Sequence, residues 1–394
     1  MRFLRYTAWM VIVLGSAAGG TFTESIRDGN LLLNLRFRLE YVEQEPLDKD
    51  GVAVTLRTGL GYQSGAFQGF QFLVEAENIT DFGLDPYDNT KNGRTERPVV
   101  ADPEDTEINR LQLCYTLGDR HKLVLGRQRI IFENARFIGN VGWRQNEQTF
   151  DAARYQGFLG PAEVNLVYLN NVNRIFGEHH PRLSDSRLDG YLVHVAFTPL
   201  PGLKLVGFSY HLDFLNGAAA HRVSGLSAKG QWPPKAERAL IYETSYARQD
   251  DIHSGDDLFD TDYKWLSLGG KWNRVTATAA LEILGGDGRT GFATPLATGH
   301  AFNGWADVFL TTPAAGLRDL MCEAGYKAEG WRMVGVYHRF EADFGGGNYG
   351  DELDLSYTQG LSPRAQVGAK AAVYNADTFG SDRKKFWAWL QYAW

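Results

Sequence analysis

The chain has 394 residues, 44 of them Gly, with 10 Trp, 18 Tyr and 23 Phe and a formal charge of -7. A slightly negative mean hydropathy, with no series of 18-residue apolar runs, excludes a bundle of transmembrane helices. A hydrophobic share of 44% excludes intrinsic disorder, and the acidic balance argues against non-specific nucleic-acid binding.

The first predicted element is a leader. Arg2 and Arg5 form a positive n-region, Tyr6 to Leu14 is apolar but too short to span a bilayer, and small residues fill positions 15–20. This order predicts a secretory signal over 1–20 and a single domain over 21–394. Loss of the two Arg takes the formal charge to about -9. No Cys follows the small residues, so a lipid anchor is not expected.

From Leu31 onward the hydrophobic period is two. Leu31, Leu33, Leu35, Phe37, Leu39 and Tyr41 share one face of a strand; Asn34, Arg36, Arg38 and Glu40 share the other. The next two strands set Val52, Val54, Leu56, Leu60 and Tyr62 against Thr55, Arg57 and Gln63, and Phe70, Phe72 and Val74 against Gln71, Glu75 and Glu77. Further alternating segments cover 107–116, 121–131, 150–159, 161–169, 189–199, 203–213, 239–249, 263–272, 275–284, 317–327, 331–342, 349–359, 365–376 and 384–394. Strands of about ten residues with one apolar and one charged face fit a barrel with lipid outside and water inside.

Connections alternate between short turns, such as Gly118-Asp119, Gly160-Pro161 and Asn273-Arg274, and long loops near 80–106, 132–149, 170–188 and 285–316. If every short turn lies at one end, one more strand must run between 214 and 238; His221 to Gly230 is the candidate. The prediction is therefore an all-β, transmembrane antiparallel β-barrel of 18 strands in the bacterial outer membrane, a monomer bathed in outer-membrane lipid. Sixteen strands is the alternative count. Cys114 and Cys322 fall on opposite faces, so no bridge between them is expected.

The last segment alternates Phe386, Ala388, Leu390, Tyr392 and Trp394 with Trp387, Trp389, Gln391 and Ala393. It is expected to close the sheet against the first strand and to present its aromatic end to the barrel-assembly machinery.

Several polar strings stand out. Gly126-Arg127-Gln128-Arg129-Ile130 precedes Arg136-Phe137-Ile138-Gly139 and Gly142-Trp143-Arg144-Gln145-Asn146-Glu147-Gln148-Thr149-Phe150-Asp151. Leu284-Gly285-Gly286-Asp287-Gly288, Phe292 to Leu296, His300 to Asp307 and Gly316 to Asp319 follow. In order and spacing the chain resembles the alginate-export family of outer-membrane channels over most of its mature length. The resemblance implies an 18-stranded monomeric barrel with a basic lumen that passes an anionic polyuronate, and an export role would add a periplasmic partner.

Transport of an anionic saccharide needs cations scattered along a wet pore, so that binding recruits without trapping. Arg36, Arg38, Arg57, Arg110 and Lys370 lie on the charged face. Arg127 and Arg129 share a face with each other, but Leu123 and Leu125 precede them in the same phase, and Arg154 is similarly ambiguous. The inner face also carries Glu40, Glu75, Glu77, Glu243, Glu282 and Asp354, so ion pairs that brace the wall are the competing reading for each Arg. The 285–316 segment is the candidate constriction, with His300, Asn303, Trp305 and Asp307 offered to a sugar; a lid on the rim or a stiffening plug competes with it. Alternative functions are a general or differently selective porin for small acidic solutes, its inner charges structural, and a barrel hydrolase using His338, Glu341 and Asp343. Adjacent His179-His180 sit in a predicted external loop and lack metal-site spacing. No catalytic residue, metal or other cofactor is expected.

Overall fold

A computed structural model describes residues 20–83, 86–253 and 257–394; the predicted leader, up to position 19, lies outside them. A short helix α1 (Phe22–Arg27) opens the described chain, its start closed by a capping box between Thr21 and Glu24. Eighteen strands follow: β1 (Asn30–Gln44), β2 (Gly51–Gln63), β3 (Phe70–Asp81), β4 (Asp105–Leu117), β5 (His121–Gln128), β6 (Thr149–Leu159), β7 (Ala162–Asn173), β8 (Asp185–Leu200), β9 (Leu203–Phe214), β10 (His221–Trp232), β11 (Arg238–Asp251), β12 (Asp260–Trp272), β13 (Val275–Leu284), β14 (Leu317–Ala328), β15 (Trp331–Glu341), β16 (Asn348–Ser362), β17 (Ala365–Ala376) and β18 (Arg383–Ala393). The strand demanded by parity is β10, and the count is 18 rather than 16.

Each strand pairs antiparallel with its sequence neighbours, and β1 pairs with both β2 and β18. The sheet is closed, which is what lets a strand structure satisfy its backbone in lipid. At the seam Trp394 N–H donates to Leu33 O at 2.8 Å and Leu33 N–H to Trp394 O at 3.1 Å. Long loops gather at one end and short turns at the other, the arrangement in which long loops face outside the cell and turns face the periplasm.

The period-two reading of the faces holds. Leu60, Leu226, Leu266, Leu268 and Leu390 are exposed on the outer wall, whereas Arg36, Arg38, Glu40, Arg57, Glu75 and Glu77 are buried inside. Outer aromatics cluster near the turn end: Phe70 lies 4.6 Å from Tyr115, Tyr326 5.2 Å from Trp331, and Trp331 5.8 Å from Tyr357, centroid to centroid. Such a girdle suits a membrane boundary. Cys114 is buried and Cys322 exposed, and both are free.

Two departures from simple alternation matter. The β3–β4 register shifts between Glu75 and Ala76, so Asn109 and Arg110 both reach Glu75, at 2.8 and 2.7 Å. In β5 no register shift rescues Arg127. It continues the outward phase of Leu125, sits opposite exposed Leu111, and pairs with Asp151 at 2.9 Å. Arg127 therefore does not line the lumen, because its strand keeps one phase to its end.

Candidate functional site

Two loops turn into the barrel and meet. The 129–148 loop is drawn in by the wall of β1–β4. Arg36, eight residues inside the outer end of β1, donates to Gln145 Oε1 at 2.8 Å and Gly142 O at 2.9 Å, and also reaches Arg144 O. Arg38 donates to Trp143 O and to Asp102. Gln145 in turn donates to Thr55 Oγ1 at 2.8 Å, and Asn109 donates to Glu147 at 2.7 Å. By sequence Arg36 and Arg38 could either brace the wall or touch cargo; in the structure both guanidiniums sit on loop carbonyls.

The 285–316 loop is held from the opposite wall by carboxylates. Trp305 N–H donates to Asp354 at 3.1 Å, Ala306 N–H to Glu352 at 2.7 Å, and Asn303 Nδ2 to Glu282 at 2.6 Å. Gly304 makes this approach feasible: its φ is +83°, and an added Cβ would lie within 2.3 Å of Glu352 Oε2. The candidate constriction loop thus enters the lumen rather than covering the rim.

The loops also bind each other. Gly139 N–H donates to Leu296 O at 2.9 Å and Thr298 N–H to Ala135 O at 3.0 Å. Arg136 reaches Asn303 at 3.0 Å and Glu282 at 2.8 Å. Arg144 bridges Asp307 at 2.9 Å and Glu40 at 3.2 Å, and Lys385 joins Asp307 at 2.6 Å. Burial disfavours charge on Arg144, but Glu40, Asp307 and Asp102 outweigh it and raise its pKa. Asp307 is likewise held well below the usual carboxylate range, its burial overcome by His300, Lys385 and Arg144.

Lys370, His300, Trp305 and Asp307 come together in this knot. The Lys370 amine lies 4.1 Å from the Trp143 ring centre, 4.0 Å from that of Trp305 and 3.0 Å from His300 Nε2. His300 stacks on Trp143 at 4.9 Å, and its Nδ1 lies 2.7 Å from Asp307. Burial pushes the His300 pKa down to about 3, with Lys370 and Arg144 adding to the effect and Asp307 opposing it.

The remaining predicted residues are scattered. Arg57 donates to Asn34 at 2.7 Å, with Glu77 at 3.5 Å. Arg129, just past β5, binds Glu147. Arg154 faces inward, donating to Asn165 at 2.6 Å, with its guanidinium 5.6 Å from the Phe132 ring centre. His338 points into the lumen, 2.9 Å from Asp319, while Glu341 pairs with Arg339 at 3.3 Å. Those two are not brought together. His179 binds Asp105 at 2.6 Å, and His180 accepts from Leu183 N–H at 2.9 Å, so each anchors its own loop.

The sequence reading missed the 129–148 loop as a second inward element, and with it Asp102, Arg136, Trp143 and Arg144. The signal was the run Gln145-Asn146-Glu147-Gln148, polar yet buried in the structure. It also missed the cations of the periplasmic half. Lys122, Lys204, Lys229, Lys271, Lys327 and Arg332 occupy inward registers there, against Glu163, Glu243 and Glu323. Lys204 and Lys229 hold Glu133, at 2.6 and 2.8 Å.

No protein-family model matches the chain, and no curated protein sequence matches it. The fold is that of solved outer-membrane porins. Acinetobacter baumannii OccAB2 superposes with a TM-score of 0.71 at 15% identity, covering 94% of this chain and 99% of that one. Pseudomonas aeruginosa OccK8 (OprE) gives 0.70 at 13%, with 94% and 98% covered. Pseudomonas aeruginosa OpdK with vanillate gives 0.72 at 12%, with 94% and 99% covered. The chain is an 18-stranded outer-membrane barrel of porin architecture, and the likeness does not extend to alginate export specifically.

Proposed function

We propose that this barrel is a porin that passes small anionic solutes. The carrying observation is the excess of inward cations in the periplasmic half of the lumen, beneath two loops that narrow the barrel at mid-height. Cations spaced along a wet wall favour anions without a deep trap. Solved OpdK with vanillate, an aromatic carboxylate, supports the solute class. A polyuronate is the second reading, supported by the polar strings shared with the alginate-export pattern. Those strings lie largely in the two in-folded loops, and a polymer would need both loops to part, which favours the small-solute reading.

Reversal potentials across planar bilayers under a salt gradient test the proposal. Anion preference with block by benzoate or glucuronate monomer is expected. Cation preference without block by either would overturn it, and block by uronate oligomers alone would favour the polymer.

A further inference from the structure

Near its start the 129–148 loop turns at Phe132–Ala135 and presents a carboxylate that has its own receptor on the wall. Glu133 lies 2.6 Å from Lys204 Nζ, 2.8 Å from Lys229 Nζ and 3.2 Å from His194 Nε2. These three come from β9, β10 and β8, and Lys204 and Lys229 are direct register partners. Two like charges set side by side cost free energy unless an anion lies between them. His194 is oriented by Tyr210, whose hydroxyl lies 2.9 Å from Nδ1. Phe132, the residue before Glu133, stacks on the His194 ring at 4.5 Å with an interplanar angle of 6°. The other charges at hand are Arg154, near Phe132, and Glu243, the register partner of Lys229. Both lysines remain about one-third exposed, so water reaches the site.

We infer that Lys204, Lys229 and His194 form a carboxylate-binding site that Glu133 occupies in the resting barrel, and that a monocarboxylate solute with a flat apolar group enters by displacing Glu133. The Phe132-Glu133 pair, a ring beside a carboxylate, is the internal occupant whose chemistry names the ligand class. The inference rests on the anion-porin reading above. It adds that loop and solute compete for one site, and an internal competitor weakens the apparent affinity of the external one.

The experiment compares single-channel block by sodium benzoate, and anion preference, in the full barrel carrying Glu133→Gln or the pair Lys204→Met/Lys229→Met. Retained heat-modifiable gel migration identifies folded variants. Glu133→Gln is expected to lower the half-blocking benzoate concentration by roughly tenfold and to raise anion preference, the gain from removing a competitor that holds the site most of the time. The double lysine variant is expected to abolish block. The signs separate binding from bracing: a latch that only braces the loop is broken by either change, so both variants would shift block in the same direction, and that result overturns the inference. Unchanged block in Glu133→Gln also overturns it while leaving an anion-selective porin standing. A wild-type barrel that prefers cations and ignores benzoate overturns both.

Discussion

At the scale of single residues, burial decides what a lumen charge can do. Arg38 is almost wholly buried and joins Trp143 O, Asp102 and Glu40, so it holds a loop in place. Arg38→Met leaves two buried carboxylates short of a partner, and removing one member of such a network costs about 3–5 kcal/mol. The expected outcome is a lower guanidinium unfolding midpoint together with new protease cleavage in 129–148; an unchanged midpoint would mean the pair is dispensable. His300 gives a pH prediction. Its pKa in the fold, about 3, lies below the ordinary 6.5, so the unfolded chain takes up the proton first. Its contribution to stability is therefore full above about pH 6.5 and is lost as pH falls toward 3. His300→Gln should narrow the difference in unfolding midpoint between pH 7 and pH 4; an equal difference in both proteins would refute the assignment.

At the scale of elements, the two in-folded loops act as one unit because each satisfies the other's backbone. Gly304 is a close joint between loop and wall, with a positive φ and Glu352 pressed against it. Gly304→Val should push the 285–316 loop off Glu352 and Asp354, and so raise single-channel conductance and current noise while the barrel still shifts on boiling. Unaltered conductance would show that the loop does not limit the pore. The strand elements were legible in the sequence down to β10, which has little apolar character of its own and was found from turn parity. Arg127 is a pore-lining candidate by its chemistry, against the phase it shares with Leu125; the strand's uninterrupted register decides for the outer face, where Asp151 neutralises it.

At the scale of the whole molecule, closure of the sheet through β1 and β18 removes every free edge, and the exposed apolar wall then requires lipid. A charge on that wall should be costly according to its depth. Leu266→Arg, on an exposed outer position of β12, is expected to lose about 2–4 kcal/mol of folding free energy in liposomes if it lies near the bilayer midplane. Ser267→Arg, on the inner face of the same strand, should cost much less. Equal losses at both sites would contradict the assignment of faces.

The sequence by itself determined nearly all the strands, their two faces and the compartment, because alternation with period two is local and each segment carries its own record of it; the choice of 18 strands over 16 came with the structure. Tertiary structure decided which inner charges brace and which remain available. The bonds that decide it join residues far apart in the chain: Arg36 and Gln145 are separated by 109 positions, Arg144 and Asp307 by 163. No periodicity records such a meeting. It exists only once the closed wall has set the distance across the lumen that the two loops must fill.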